Sequence, residues 1–271
     1  MFVTVDTAPH CWIDSGLSCF ACLCTTELLD PTTGTRWKMT LYVGTSGFSY
    51  KEWKGSFYPE DISASEMLSY YAARLPAVEL NNTYYRLPQR STVESWRAQV
   101  PENFQFSLKA PRSITLYRRL KDAGAQTKQM LETASVLEDR LGTVLFRMPE
   151  NMKKDVACLQ NFLEQLPADI PAAFDFRHPT WFDDEIFDLL RGHNRVLVIS
   201  DTDELPAKHI DKTADWGYVR LRRVRYSKTE LTAWSKRIKA QDWNKTFVFF
   251  KHEDEGTGPK LAAQFIKLSK A

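Results

Sequence analysis

Residues 174–181 read Phe-Asp-Phe-Arg-His-Pro-Thr-Trp. They follow an apolar run, Ile-Pro-Ala-Ala, which is typical of a buried strand that ends in polar residues. In a strand over 172–176, Asp175 and Arg177 share one face, because strand side chains alternate with a period of two. Pro179 ends the strand where the charges emerge. A carboxylate, a guanidinium, an imidazole and an indole at one strand end indicate a functional site rather than a scaffold.

Strand-like and helix-like segments alternate on both sides of this stretch. Besides 172–176, the predicted strands are 41–44, 77–81, 104–109, 143–147, 195–200, 217–221 and 246–251. Hydrophobic spacing and capping residues predict helices over 63–73, 91–100, 126–141, 183–190, 227–238 and 258–270, with a further helix that starts at Asp155.

The alternation predicts an α/β fold, a single (β/α)8 TIM barrel with eight strands and about eight helices. An open, doubly wound sheet is the competing architecture. The loop Gly44-Thr45-Ser46-Gly47 does not favour it, because this loop is neither the dinucleotide-binding G-x-G-x-x-G motif nor a P-loop.

Composition limits the classes of function. Hydrophobic residues make up 43% of the chain, and 36 Lys and Arg against 34 Asp and Glu give a net charge of only +2. Attraction for an anion therefore has to come from local clustering of charge. No apolar run approaches the roughly 18 residues that span a bilayer, so we expect no membrane association. Only Cys158 lies beyond residue 40, which fits a reducing environment and predicts a cytoplasmic protein.

The first 38 residues differ from the rest and are predicted to be a disordered, irregular extension, followed by the barrel domain over 39–271. They hold four of the five cysteines, and 31–35 (Pro-Thr-Thr-Gly-Thr) resembles a linker. Cys19 and Cys22 have the C-x-x-C spacing of a metal or redox site, but no His or second pair follows at zinc-finger spacing. We therefore favour an unstructured extension over a metal site.

The carboxyl ends of the predicted strands carry a ring of polar side chains, where barrel enzymes place their chemistry. Cations outnumber acids in this ring, which favours an anionic ligand that carries phosphate or carboxylate groups. Aromatic residues in the following loops could stack on a base or a sugar. The predicted ligand-binding residues are Tyr50, Asn81, Tyr84, Lys109, Arg147, Arg177, Trp181, Arg220, Arg222 and Lys251.

The predicted catalytic residues are Glu79, Asp175 and His178. The two carboxylates lie on different strands and could act as a general acid–base pair if the cations separate their pKa values. Asp175 could instead form an ion pair with Arg177 that only stabilises the rim. We predict no metal site and no cofactor, because few histidines lie near strand ends and the nearby cations oppose a divalent ion.

Short motifs occur in order at the ends of the predicted strands. They are 44–50 (Gly-Thr-Ser-Gly-Phe-Ser-Tyr) with Trp53 and 57–59 (Phe-Tyr-Pro), 79–86 (Glu-Leu-Asn-Asn-Thr-Tyr-Tyr-Arg) with Pro88, 106–109 (Phe-Ser-Leu-Lys), 174–178 with Trp181, and 218–220 (Tyr-Val-Arg). Over about 40–271 the chain thus resembles the YecE-like proteins, the group called domain of unknown function 72. The resemblance implies a TIM barrel and no settled activity. A likeness of that barrel to phosphate-handling endonucleases suggests nucleic acid only by analogy of fold.

The chain departs from the family pattern at several strand ends. Asp175 stands where the family usually has Glu, and Thr115 is followed by Leu116 instead of His. Arg147 replaces a Gln, Arg222 and Arg223 replace His-Gly, and the last strand ends in Lys251, His252 and Glu253 instead of an Asn-containing motif. Three of these changes add positive charge, which indicates a more anionic ligand.

Three functions remain open from the sequence. The first is a metal-independent hydrolase that acts on a phosphorylated or nucleic-acid-like substrate. The second is a protein that binds a small-molecule or nucleic-acid-like anion without turnover, and the third is a carbohydrate-processing barrel. Glu79 and Asp175 facing each other about 5–9 Å apart across a solvated pocket would favour an enzyme. The same carboxylates fixed in arginine pairs would favour binding.

Overall fold

The computed structural model describes residues 24–29, 36–207, 209–252 and 254–270, with side chains from residue 39 onward. Ten strands lie in one sheet, and all but the first are parallel to their neighbours. They are β1 (Cys24–Leu29), β2 (Arg36–Ser46), β3 (Ala77–Leu80), β4 (Gln105–Lys109), β5 (Leu141–Arg147), β6 (Ala172–Asp175), β7 (Val196–Leu197), β8 (Ile199–Asp201), β9 (Trp216–Leu221) and β10 (Lys245–Phe250).

Seven α-helices alternate with these strands in the described part of the chain. They are α1 (Met67–Ala72), α2 (Arg90–Ala98), α3 (Gly124–Ala134), α4 (Val156–Gln165), α5 (Asp184–Gly192), α6 (Lys228–Lys239) and α7 (Thr257–Lys270). The predicted (β/α)8 barrel is confirmed. Each of the seven helices corresponds to one of the seven predicted segments. An ideal (β/α)8 barrel has one more helix, after β8, where the described residues between 202 and 215 form none.

The barrel closes through an interrupted strand. Hydrogen bonding orders the sheet as β7-β6-β5-β4-β3-β2-β10-β9-β8, and only Val198 separates β7 from β8 in the chain. The Val198 amide donates to the carbonyl of Phe174 at 2.9 Å, on the β6 side, whereas β8 pairs with β9. The segment predicted as one continuous strand over 195–200 is therefore two short strands that share one position of the barrel.

The barrel interior is filled by side chains from alternate positions of the strands, as a closed parallel barrel requires. The apolar cluster inside is formed chiefly by Ala77, Leu145, Ala173, Val196, Val198, Tyr218, Phe247 and Phe249. Two residues further along β3, β5, β6 and β9, the same alternation brings Glu79, Arg147, Asp175 and Arg220 to the carboxyl end of the barrel, which we call the mouth. A packed apolar layer thus forms the floor beneath the polar residues.

Helices α4, α5 and α6 begin at capping residues that the sequence contains. Asp155 and Asp183 accept hydrogen bonds from the backbone amides of Cys158 and Ile186 at the starts of α4 and α5. Ser227 and Glu230 form the predicted capping box of α6. Ser63 and Glu66 also bond to each other, but only a turn precedes α1, which begins at Met67 instead of Ser63.

The predicted extension over 1–38 lies largely outside the described residues, and so does the C-x-x-C pair. Two parts of it are described, and both are strand: β1 pairs antiparallel with β2, which begins at Arg36. Regular structure therefore starts before the predicted boundary. The first residues of β2 extend beyond the barrel and pair there with β1. For the remaining residues, the extension stays a prediction.

Two further observations concern the described residues alone. None of their helices combines the length and apolar character needed to cross a membrane. Within the same residues, no three His, Cys, Asp or Glu side chains are grouped as ligands for a metal ion.

Candidate functional site

Arg220 lies at the centre of the mouth and joins the two predicted catalytic carboxylates. From β9, its Nη2 lies 2.9 Å from Oε1 of Glu79 on β3, and its Nη1 lies 2.8 Å from Oδ2 of Asp175 on β6. All three residues are at most 1% exposed. Burial alone would lower the pKa of Arg220, but the two carboxylates outweigh it and raise that pKa. The guanidinium is therefore a permanent charge shared between two acids.

Glu79 is held by neutral donors as well. The Tyr218 hydroxyl donates to Oε2 at 2.6 Å, and the Ser46 hydroxyl and the Asn81 amide donate to Oε1 at 2.7 and 3.3 Å. Burial would raise the pKa of Glu79, but the charge of Arg220 and the hydrogen bonds from Tyr218 and Ser46 lower it to about 2. Glu79 is therefore an ionised, fully engaged carboxylate at neutral pH, which does not suit it to proton transfer.

Asp175 has a second cationic neighbour. Nε of Arg147, the residue paired with Asp175 across β5 and β6, lies 3.6 Å from Oδ2. Arg177 does not pair with Asp175, and its Nη2 instead lies 3.6 Å from Oε1 of the exposed Glu150. The interpretation of Asp175 and Arg177 as a rim ion pair is wrong, because the strand carries Asp175 inward to Arg220.

Two cations of the mouth, Lys109 and Arg222, form no ion pair with a carboxylate among the described residues. The Lys109 ammonium lies 4.2 Å from the centre of the Tyr84 ring. Burial, with the charges of Arg147 and Arg220, lowers the pKa of Lys109 to about 8. Burial and the same two arginines lower the pKa of Arg222 to about 10. For both groups, burial and the neighbouring arginines outweigh the effect of the nearby carboxylates on the pKa.

The charges near the mouth therefore do not balance. Arg222 is partly buried, and its Nε has no hydrogen-bond partner in the described structure. Five cations lie near three acids, which leaves a surplus of two positive charges. The cations are Lys109, Arg147, Arg177, Arg220 and Arg222, and the acids close to them are Glu79, Asp175 and Glu150.

The remaining predicted site residues have structural partners. The Tyr50 hydroxyl donates to the carbonyl of Ser46 at 2.7 Å, and Trp181 is fully buried with its ring stacked on Phe176. The His178 ring bonds to Thr180 and caps the short helix over 179–181. Lys251 is exposed after the end of β10. The structure thus gives Trp181 a core position, and a catalytic role for His178 stays a prediction.

The sequence did not single out Ser46, Tyr218 or Glu150 as members of the site. Ser46 and Tyr218 lie on inward-facing positions, and Tyr218 precedes Arg220 by two residues, so alternation could have found both. Asp201 is the last residue of β8 and is fully buried, and its partners explain this burial. It bonds to Arg223, to the Tyr226 hydroxyl and to the Ala207 amide, and so ties together the loops after β8 and β9.

A cavity of about 480 Å³ adjoins the mouth on the side of Arg177. Its walls include Phe176, Phe182, Leu205 and Ser200. Part of its wall is formed by residues 204–207, in the segment after β8 whose described residues form no helix.

The fold and the site define a (β/α)8 barrel with a cationic mouth. The chain belongs to the family described as "Protein of unknown function DUF72", whose model matches residues 42–271. The UPF0759 protein YunF of Bacillus subtilis is 24% identical over 270 residues, which cover 84% of this chain and 94% of YunF. The UPF0759 protein YecE of Escherichia coli K12 is 27% identical over 168 residues, 59% of either chain.

Solved structures agree with this assignment. The crystal structure of a DUF72 family protein from Thermotoga maritima, TM1631, has a TM-score of 0.75 and 30% identity, and the match covers 85% of this chain and 99% of that protein. The DUF72 family protein EF0366 from Enterococcus faecalis has a TM-score of 0.70 at 21% identity, which supports the fold alone. The family resemblance in the sequence is therefore confirmed.

Proposed function

We propose that this protein binds a small anionic ligand, of which a phosphorylated molecule is the leading class, at the mouth of the barrel. The observation that carries the proposal is the absence of a carboxylate partner for Lys109 and Arg222 among the described residues. Partly buried cations without counter-charges destabilise a folded protein, and a bound anion removes that cost. Arginine can bind a phosphate through two parallel hydrogen bonds, and lysine adds a compact charge.

The pairing of both carboxylates with Arg220 favours a binding function over hydrolysis. Glu79 and Asp175 are both paired with Arg220, and the low pKa of Glu79 removes it as a proton donor near neutral pH. A carboxylate-pair hydrolase needs one acid that is protonated and one that is free to accept a proton. This arrangement instead uses both acids to fix the arginine that shapes the mouth.

A thermal-shift screen tests the proposal with inorganic phosphate, sugar phosphates, nucleotides and short oligonucleotides as probes. A ligand at about 100 times its Kd stabilises the native state by about 2.7 kcal/mol, which raises the melting temperature measurably. We expect phosphate-bearing probes to raise the Tm, and R222A to lose most of that shift. R225A, at an exposed position three residues further on, is the matched control and should retain it. If no anion raises the Tm of the wild type, the proposal is wrong.

A second candidate is a ligand with a base or sugar attached to the anion. Tyr85 and Tyr117 are 69% and 65% exposed, and Arg112 lies 6.0 and 5.5 Å from the centres of their rings. Exposed aromatic rings near arginine are suited to stack on nucleobases or sugars. A larger Tm shift with nucleotides than with equal concentrations of inorganic phosphate would support this class. Y117A should then remove only the difference between the two probes.

A further inference from the structure

Lys109 has a setting unlike that of an ordinary surface lysine. It is the last residue of β4 and is partly buried, with Tyr84 beneath its ammonium group. Arg147 on β5 and Arg220 on β9 add positive potential at its position. Opposing contributions come from the carboxylates of Glu79 on β3 and Asp175 on β6, which Arg220 already occupies.

Lysine becomes a nucleophile in proteins when burial or a neighbouring cation favours its neutral form. Both conditions hold for Lys109, whose pKa is lowered to about 8. At pH 7.5 an amine with that pKa is about one quarter neutral, compared with about 0.1% for a lysine of ordinary pKa, about 10.4. Burial at the end of β4, together with Arg147 and Arg220, therefore gives Lys109 a larger fraction of free amine than an exposed lysine has.

We propose that Lys109 is a nucleophilic amine that forms an imine with the aldehyde or ketone group of an anionic ligand. The proposal rests on the anion site for its choice of ligand, because Arg147 and Arg222 would hold the negative group. It adds a covalent step that anion binding does not require. The ligand class is consequently a small phosphorylated or carboxylated carbonyl compound.

The step needs no oxidant, reductant or metal. The lone pair of the neutral Lys109 nitrogen attacks the carbonyl carbon, a C–N bond forms, and the electrons of the C=O π bond move to oxygen. A proton transfer from nitrogen to that oxygen gives the carbinolamine. Its hydroxyl group is protonated by solvent and leaves as water while the nitrogen lone pair forms the C=N bond, and the nitrogen then returns its second proton to solvent to give the neutral imine. One amine and one carbonyl thus give one imine and one water, and the step is reversible.

Pyridoxal 5′-phosphate is a suitable probe, because it carries an aldehyde and a phosphate. The full chain is incubated with it at pH 7.5, imines are reduced with borohydride, and the labelled peptides are identified by mass spectrometry. We expect Lys109 to be labelled at least tenfold faster than Lys51, an exposed lysine in the short helix after β2. Its labelling rate should rise as pH increases through about 8. Labelling of Lys109 no faster than that of Lys51 overturns the proposal.

Two variants make the result specific. K109R retains the positive charge but cannot form an imine, so it should lose the fast label while inorganic phosphate still raises its Tm. K51R should keep the fast label. Phosphate-free pyridoxal should label Lys109 more slowly than the phosphorylated probe if the anion site assists.

The imine and the anion site can fail separately. Stabilisation by inorganic phosphate without preferential labelling of Lys109 would refute the imine and leave the anion site intact. Fast labelling of Lys109 by pyridoxal, with no stabilisation by any anion, would refute the anion site and leave a reactive amine.

Discussion

Arg220 makes ion pairs with two fully buried carboxylates, so its removal should be among the most damaging single changes at the mouth. R220M has a similar volume but leaves Glu79 without a cation and Asp175 with Arg147 alone, 3.6 Å away. Breaking a buried ion pair in this way costs about 3–5 kcal/mol. We therefore expect the free energy of unfolding, measured with urea, to fall by about that amount.

A matched set of variants separates the effect of charge from that of packing. S46A removes one hydrogen bond from a neutral donor to the ionised Glu79 and should cost about 1.5–3 kcal/mol, without removing a charge. If R220M fails to fold, the triple variant E79Q/D175N/R220M, which has no buried charge at these positions, should recover folded protein. A loss below about 1 kcal/mol for R220M would contradict the role assigned to Arg220.

Glu79 makes stability depend on pH in a defined direction. Its pKa is about 2 in the folded protein, below the value of about 4.3 for an unfolded glutamate. The unfolded chain therefore takes up the proton first as the pH falls, so the stabilisation present above pH 4–5 is lost towards pH 2.

The comparison of wild type with E79Q tests this dependence, because the glutamine does not titrate. We expect the difference in unfolding free energy between the two proteins to be largest near pH 6 and to shrink between pH 5 and 2. The full change is on the order of 3 kcal/mol, at 1.36 kcal/mol for each unit of pKa. A difference that stays constant over this range would show that Glu79 has the same pKa in both states.

At the level of single elements, strand alternation explains why much of the mouth could be predicted from the sequence. Glu79, Lys109, Arg147 and Arg220 lie at alternate positions that follow apolar residues, and the structure places them at one end of the barrel. Which charges pair could not be predicted, because Arg220 and Glu79 are 141 positions apart in the chain. Their contact depends on closure of the barrel across β3 and β9, which no local pattern encodes.

Other differences also arise from tertiary structure. Residues 195–200 read as one buried strand, but the segment divides at Val198 because each half pairs with a different neighbour. Trp181 looked available for stacking from its place after a strand, yet its indole N–H donates to the carbonyl of Met152 at 2.7 Å inside the core. An aromatic residue in a loop gives no local signal that tells these two positions apart.

Helix α6 offers a test of a local signal that the structure bears out. The Ser227 hydroxyl accepts from the Glu230 amide, and the Glu230 carboxylate accepts from the Ser227 amide. S227A removes the cap and should lower the free energy of unfolding by about 1 kcal/mol. K236A, at an exposed position of the same helix, should change it by less than about 0.5 kcal/mol. Equal effects of the two variants would show that the capping box contributes nothing.

On the scale of the whole molecule, a nearly neutral chain carries a concentrated positive site. The net charge is +2, and the surplus at the mouth comes from Lys109 and Arg222. Anion binding should therefore weaken as salt is added, because salt screens the local positive field. The Debye length falls from about 10 Å at 0.1 M salt to about 3 Å at 1 M.

Calorimetric titration with inorganic pyrophosphate at increasing sodium chloride measures this response. We expect the affinity to fall several-fold between about 0.05 and 0.5 M salt, because the site is open at the mouth but its charges are partly buried. R222A should bind more weakly and depend less on salt. An affinity of the wild type that does not change with salt would argue against electrostatic binding.

The break at Val198 has a consequence for how the barrel opens. The sheet runs without a break from β7 through β2 and β10 to β8. Its two ends, β7 and β8, are strands of only two and three residues, and the barrel closes where they meet. Such a junction has few backbone hydrogen bonds to hold it. Native-state hydrogen exchange at the amides of 196–201 is therefore expected to proceed through local separation of this junction, at a lower free energy than exchange in the long β2–β10 ladder.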